Sequence, residues 1–235
     1  MKELSHSFID FHSHILPRAD HGSDSLETTL SQLSFAKSFG VEKIIATPHF
    51  YPHKHNVSDF LVRRNNAYNL LLENMPSDFP VVRLGAEVLI CNGIERLEGL
   101  KDLCIHGTQT LLLELPFADF QPDYYRSTYK LCSDGFNVIL AHADRYPAEN
   151  IKKMTDAGAL IQLNASSLVK FFPAKHLFDW LDKELVVAIG SDIHMVDKSA
   201  YKRFVKAFTR LKGYSEYVSE QSEKIWNESE AFSIV

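Results

Sequence analysis

The sequence predicts an α/β fold, a parallel sheet closed or nearly closed into an irregular seven-stranded β/α barrel. Three observations carry this. Short apolar runs alternate along the chain with amphipathic helical stretches, the pattern that sets parallel strands beside crossover helices. The runs number seven, one short of the common eight-stranded barrel. No internal repeat, low-complexity tract or Pro/Gly/Ser-rich linker interrupts them, so residues 1–235 read as one domain.

The first strand is Phe8–His12, where Ile9 and Phe11 alternate with polar positions as in a half-buried strand. Leu26, Leu30, Leu33, Ala36 and Phe39 then recur at helical spacing after a cap at Ser23 or Asp24, and Gly40 stops the helix. Lys43–Thr47 is the second strand, and Phe60 to Met75 the second helix, with Leu61, Tyr68, Leu71 and Leu72 on its inner face. Val81–Ile90 reads as one long third strand and Thr110–Glu114 as the fourth. Helix Pro122–Ser133, strand Asn137–His142, helix Pro147–Ala157, strand Leu160–Asn164, helix Pro173–Asp182, strand Val186–Ser191 and helix Ser199–Lys212 follow in turn. Three of these helices start near a proline, which suits a first helical turn. Tyr214 to Val235 reads as a helix with a short extension.

With 235 residues, 45% hydrophobic and 23% charged, the chain has an ordinary globular balance and enough length for a sizeable core. A formal charge of −5 gives no global attraction to nucleic acid or an anionic membrane. Met1 to Ser7 is polar and no apolar run approaches transmembrane length, which points to a cytoplasmic protein without a signal peptide. Cys91, Cys104 and Cys132 form an odd, scattered set without a C-x-x-C pair, as expected in a reducing compartment. The sixth residue after each cysteine is Leu97, Thr110 and Val138. None is arginine, so the C-x5-R loop of a thiolate phosphatase is absent.

His12 and His14 stand two apart on the first strand, pointing to one side with Cα atoms roughly 6.5–7 Å apart. Such a pair closes readily on one divalent ion. In a β/α barrel chemistry sits at the carboxyl ends of the strands, so other ligands are expected there. His21 lies in the first loop, His49 after the second strand, Glu87 in the third run and Glu114 at the end of the fourth. His142 closes the fifth strand, and Asp192 and His194 follow the seventh. His6, His53, His55, His106 and His176 fall elsewhere, with His53 and His55 close enough to His49 to line the mouth. Singly, Glu114 reads as a salt-bridge partner, Asp192 as a cap and His49 as a core histidine. Together they would crowd charged and polar groups at one end of the barrel, which is costly without a cation. Nine ligands exceed the four or so that one zinc takes, so two or three ions sharing bridging groups such as Glu87 account for them.

These motifs resemble the PHP (polymerase and histidinol phosphatase) superfamily, and within it the bacterial metal-dependent tyrosine phosphatases of capsule and exopolysaccharide operons. The carrying residues are Asp10-Phe11-His12-Ser13-His14-Ile15-Leu16-Pro17, Ile45-Ala46-Thr47-Pro48-His49, Gly85-Ala86-Glu87, Leu113-Glu114-Leu115-Pro116-Phe117, Ala141-His142-Ala143-Asp144-Arg145-Tyr146 and Ser191-Asp192-Ile193-His194. The resemblance implies an irregular TIM-like (β/α)7 barrel of the PHP type with a trinuclear centre. His12, His14, Glu87 and Asp192 would hold the first ion, Glu87, Glu114 and His142 the second, and His21, His49 and His194 the third. Manganese or iron is usual in the family, and zinc suits the same ligands. A metal-bridging hydroxide would attack phosphorus, with His49 and Arg145 as the catalytic side chains and Arg145 gripping phosphate. The implied substrate is phosphotyrosine in the tail of a polysaccharide-synthesis tyrosine kinase.

Three departures accompany the resemblance. The family's two aspartates before glycine are here Asp20-His21-Gly22, which leaves His21 or Asp20 as the third-ion ligand. The His-Pro-Glu-Arg motif is here His142-Ala143-Asp144-Arg145. A second family arginine is replaced by Ser199, where Lys198 would supply only a point charge to substrate. The alternatives are another phosphoester such as histidinol phosphate, or a catalytically impaired metal-binding regulator. An amidohydrolase would use a carbamylated lysine where this chain has Glu114.

Overall fold

The structure is a computed structural model that describes residues 8–117 and 120–231. Its strands are β1 (Phe8–Ser13), β2 (Val41–Ala46), β3 (His49–Phe50), β4 (Val81–Leu84), β5 (Glu87–Leu89), β6 (Thr110–Glu114), β7 (Asn137–Leu140), β8 (Leu160–Asn164) and β9 (Val186–Gly190). The helices are α1 (Leu26–Ser38), α2 (Val57–Asn74), α3 (Pro122–Ser133), α4 (Ala148–Asp156), α5 (Ala165–Leu168), α6 (Lys175–Asp182), α7 (Ala200–Leu211) and α8 (Ser215–Ala231).

All seven expected strand positions are present, and one of them is interrupted. The second strand ends at Ala46 and, beyond Thr47-Pro48, the unexpected short β3 resumes it, while the run Val81–Ile90 breaks at Gly85-Ala86 into β4 and β5. The breaks lie side by side, because Ala46 pairs with Leu84 below them and His49 with Glu87 above. Pro48 has no N–H to give the ladder. At Gly85 an added Cβ would sit 3.3 Å from Ile45 Cγ2, a contact tight enough that Ile45 would have to give by a few tenths of an ångström. The strands therefore pair, all in parallel, as one sheet of order β1-β2-β4 and another of order β3-β5-β6-β7-β8-β9. Between β1 and β9 the seam carries a bridge from Ser13 to Ile193, with the His14 N–H donating to the Ile193 carbonyl at 3.0 Å. The barrel is irregular at that seam.

The helix starts differ from expectation for local reasons. Ser25, not Ser23 or Asp24, caps α1 and accepts from the Thr28 N–H at 3.1 Å, while Ser23 is buried against Thr29. Asn56 caps α2 through the Asp59 N–H, so this helix begins at Val57. The short α5 follows β8 directly, in a stretch to which the sequence pattern assigns no element.

Inside the ring, Phe11, Ile45, Leu112, Ile139 and Val187 pack together with Ile225 and Trp226 of α8. The tail helix thus closes the end of the barrel where the strands begin. Lys43 pairs with Glu223 at 2.7 Å, and the Arg83 guanidinium lies 3.9 Å from the centre of the Trp226 ring. The strand ends at the opposite mouth are left for polar side chains. Among the described residues no helix is long and apolar enough to cross a membrane.

Candidate metal centre

His12 and His14, both fully buried at the end of β1, turn their Nε2 atoms toward one point, 3.1 Å apart. Each ring has its other nitrogen engaged. His12 Nδ1 lies 3.0 Å from Gln162 Oε1 and His14 Nδ1 lies 2.6 Å from Asp20 Oδ2. Both acceptors require the N–H at Nδ1, which leaves a lone pair on each Nε2. Two lone pairs facing each other at that distance repel unless a cation lies between the rings and the nearby carboxylates. Glu87 Oε2 is 3.2 and 3.3 Å from the two Nε2 atoms, and Asp192 Oδ1 is 3.8 and 3.5 Å away.

Glu87, fully buried at the start of β5, joins this group to the next. Its Oε2 is 2.9 Å from His49 Nδ1 and its Oε1 is 2.7 Å from His142 Nε2. Glu114, at the end of β6, lies 3.6 Å from His49 and 3.8 Å from His142. Three sets of ligand atoms converge closely enough for an ion: His12 with His14 and Glu87, His49 with Glu87 and Glu114, and His14 with His49 and His194. The first set matches the grouping implied by the resemblance, while the other two draw His49 and His14 into shared positions. His21 is exposed and joins by stacking, its ring 4.6 Å from that of His49 and 4.9 Å from that of His194.

The charge balance calls for added positive charge. Burial alone would keep His12 and His14 neutral, yet Glu87 and Asp192 raise both, and Asp20 adds to them at His14, which stands well above the ordinary histidine range. His49 is pushed up to about 9, where Glu114 and Glu87 outweigh burial. Glu87 is held well below the usual carboxylate range, because the histidines outweigh its own burial. His49 Nδ1, Glu87 Oε2, Glu114 Oε2 and His142 Nδ1 are buried without a hydrogen-bond partner. His194 falls to about 4 through burial and the neighbouring His14, which keeps its imidazole neutral and free to ligate. Carboxylates shared between histidines, the neutral His194 imidazole and orphaned buried nitrogen and oxygen atoms together fit divalent ions.

Several orienting groups escaped the sequence reading. Gln162 Oε1 also accepts from the His142 N–H at 2.7 Å, and its amide donates to Asn164 Oδ1 at 3.1 Å. Asn164 Nδ2 donates in turn to Asp192 Oδ2 at 3.0 Å. Asp20 accepts from His14 Nδ1 (2.6 Å) and from the N–H groups of His49 (2.9 Å) and Gly22 (2.8 Å). Asp144 accepts from the Asn164 N–H and the Ser167 hydroxyl, which anchors the turn carrying Arg145. His142 and Asp192 both hold left-handed backbone, with φ of 35° and 53°. The one sequence clue was the polar alternation of Gln162 and Asn164 within β8.

Arg145 reaches the cluster and pairs with Asp192 Oδ2. Tyr146 packs its ring 5.6 Å from His142, and Phe117, 73% exposed, stands 5.7 Å beyond it as an aromatic wall. Lys198 instead rests 5.9 Å above Phe35 of α1, and Ser199 bonds Asp197 and Arg203. Of the two doubtful histidines, His55 lines a cavity beside His21 and His49, while His53 lies 6.0 Å from Tyr51. His6 lies outside the described residues.

A buried histidine–carboxylate cluster at the strand ends of an irregular α/β barrel makes this a protein with a candidate metal centre. Residues 8–226 match the family of capsular polysaccharide synthesis proteins CpsB/CapC, and the chain belongs to that family. It is 25% identical to the tyrosine-protein phosphatase CpsB of Streptococcus pneumoniae over 80% of this chain and 84% of that protein. It is 30% identical to the tyrosine-protein phosphatase YwqE of Bacillus subtilis over 80% of this chain and 78% of the other. Its fold superimposes with a TM-score of 0.71 on a crystal structure from work on YwqE and CpsB, called unique metal-dependent tyrosine phosphatases, at 23% identity, covering 96% of this chain and 94% of that one.

Proposed function

We propose that this chain is a metal-dependent phosphomonoesterase that hydrolyses phosphotyrosine, and that its substrate is the tail of a polysaccharide-synthesis tyrosine kinase. The observation that carries the reading is the pair of buried Nε2 atoms of His12 and His14, aimed at one point beside Glu87 and Asp192 with both Nδ1 atoms already committed. The relatives' names supply the substrate class, and the aromatic wall of Tyr146 and Phe117 beside His142 suits a phenyl ring.

Three divalent ions fit the donor set, with manganese first and iron or zinc as alternatives. His12, His14, Glu87 and Asp192 would hold one, Glu87, Glu114 and His142 the second, and His21, His49 and His194 the third. When bound, they supply a nucleophile from water at neutral pH and positive charge opposite the phosphoryl oxygens. Arg145 grips those oxygens with the guanidinium that Asp192 aligns. His49 serves as both ligand and catalytic side chain, since its Nδ1 contacts Glu87 and Glu114. Gln162 and Asp20 hold the rings of His12 and His14 in the tautomer that ligation needs. The free cysteines favour a cytoplasmic setting, and residues 1–235 are proposed to act as one domain.

Elemental analysis with turnover of p-nitrophenyl phosphate, a phosphotyrosine peptide and histidinol phosphate tests this. Metal-bound protein that turns over the peptide is expected. Two or three bound ions without turnover of any ester would overturn it, and turnover of histidinol phosphate alone would move the substrate.

A further inference from the structure

Beside the metal centre lies a cavity of about 350 Å³ with His21 and His49 on one wall and Arg18, Lys54 and Arg63 on another. The two arginines are pinned by one nitrogen each. Arg18 Nε donates to the Asp24 carbonyl at 3.0 Å and Arg63 Nε to the Ala19 carbonyl at 2.7 Å. Among the described residues their terminal nitrogens make no hydrogen bond or ion pair, and Lys54 has only the Tyr51 ring, 5.0 Å from its Nζ. Among the described residues that line the cavity Asp20 is the only carboxylate, and it already accepts from His14, His49 and Gly22. Three cations therefore share one concavity, with Asp24, off the cavity lining, as the electrostatic partner of Arg18 alone, in a chain whose net charge is −5.

The backbone adds a second observation. Arg18 has φ of 58°, the left-handed region that a non-glycine residue holds at a cost of roughly 1–3 kcal/mol. A glycine would hold the same turn without strain, and the residue that holds it here is an exposed arginine on the cavity lining. His55 on the same wall reports the local field, since burial and then Arg63 and Lys54 push its pKa down.

We infer that Arg18, Lys54 and Arg63 form a second anion subsite, which receives an oxyanion carried by the substrate polypeptide next to its phosphotyrosine. The inference rests on the phosphatase reading, and it adds a preference that the metal centre alone does not provide. Two sources share the chemistry: an acidic side chain flanking the phosphotyrosine, or a second phosphorylated tyrosine. Guanidinium forks take either group, and the partial exposure of the site makes its contribution dependent on salt.

The test uses three peptides in which phosphonomethyl-phenylalanine, which is not hydrolysed, replaces the scissile phosphotyrosine. Its neighbours are glutamine in the first peptide, glutamate in the second and phosphotyrosine in the third. Binding to the metal-loaded protein is read by fluorescence anisotropy, so it is measured whether or not the protein shows turnover. At least one anionic peptide is expected to bind roughly tenfold more tightly than the glutamine peptide, as a few partly exposed charge pairs would give. Whichever anion binds more tightly identifies the source. Arg18→Gly, which also relieves the backbone strain, and Lys54→Gln should each narrow the ratio and raise the melting temperature or leave it unchanged. Equal binding of all three peptides would overturn the subsite, as would a preference that survives both substitutions. Failure of every ester to turn over would instead count against the phosphatase reading.

Discussion

The sharpest test of how the centre is held is Gln162, a fully buried amide on β8 that touches no proposed substrate. Its Oε1 takes two donors, His12 Nδ1 at 3.0 Å and the His142 N–H at 2.7 Å. Gln162→Leu keeps the volume and leaves both donors buried and unsatisfied. At about 1–3 kcal/mol for each orphaned group, the metal-free protein should lose about 2–6 kcal/mol, offset by up to about 2 kcal/mol from the added apolar burial. His12 would also be freed to place its proton on Nε2, the atom aimed at the metal position. Loss of such an orienting acceptor lowers metal affinity by about 10–100-fold. Urea unfolding of metal-free protein reads the first effect, and competition with a chromophoric chelator reads the second. Gln162→Glu is the control, because it keeps an acceptor for both donors and should retain metal affinity within about threefold of wild type, far above the leucine variant. Leucine protein that folds and binds metal as wild type would refute the reasoning. So would a glutamate variant that loses metal as completely as the leucine one.

Other outcomes follow from the same geometry. Arg145→Ala should lower turnover by about 10²–10³-fold, the usual scale for removing a group that stabilises transition-state charge, with metal content by elemental analysis unchanged; equal activity would remove Arg145 from the mechanism. At Gly190 an added Cβ would lie 2.5 Å from His12 Cβ and 2.7 Å from Gln162 Nε2, so Gly190→Ala should destabilise by about 1–3 kcal/mol in urea unfolding and reduce bound metal. Burial raises all three thiols, Cys104 to about 12. Iodoacetamide at neutral pH should therefore leave turnover intact, whereas a chelator abolishes it and manganese restores it. Loss of activity on alkylation would reopen thiol chemistry.

The sequence made the strands legible because each is a short apolar run, and it made most candidate ligands legible because they are polar residues where such runs end, His21 in a loop and Glu87 inside a run being the exceptions. The break in Val81–Ile90 was hidden for the same reason. Apolar patterning records that a strand is buried but not which neighbour it pairs with, and Gly85 matters only because Ile45 lies 3.3 Å from where its Cβ would be. Gln162, Asn164 and Asp20 were hidden because an amide or carboxylate that orients a histidine has no spacing rule relative to it. The partners are set by how the two sheets come together, as with Gln162 on β8 and His12 on β1. The trade of Ser199 for an arginine was visible, yet the cations beside His21 were not, because Arg18, Lys54 and Arg63 come together only when the first loop meets α2.

The ligands lie where the barrel departs from regularity. His49 and Glu87 are the first residues beyond the paired breaks at Thr47-Pro48 and Gly85-Ala86, and they stand opposite each other in the resumed ladder. His12, His14 and Asp192 sit at the seam where β1 and β9 are joined by loop hydrogen bonds rather than a regular ladder. His142 and Asp192, which reach Glu87 and the His12–His14 pair, both hold left-handed backbone. A regular parallel strand points alternate side chains inward along its length, which spreads ligands over several layers. Breaking two neighbouring strands at one height and ending two others in left-handed residues brings ligands from different strands into a single layer. Each strained residue costs roughly 1–3 kcal/mol, and the clustered histidines and carboxylates cost more. Both terms are offset when cations enter between the facing Nε2 atoms of His12 and His14. The irregularity of the barrel and the placement of the centre are thus one feature of the chain, and a substitution that made the barrel more regular would disperse the ligands.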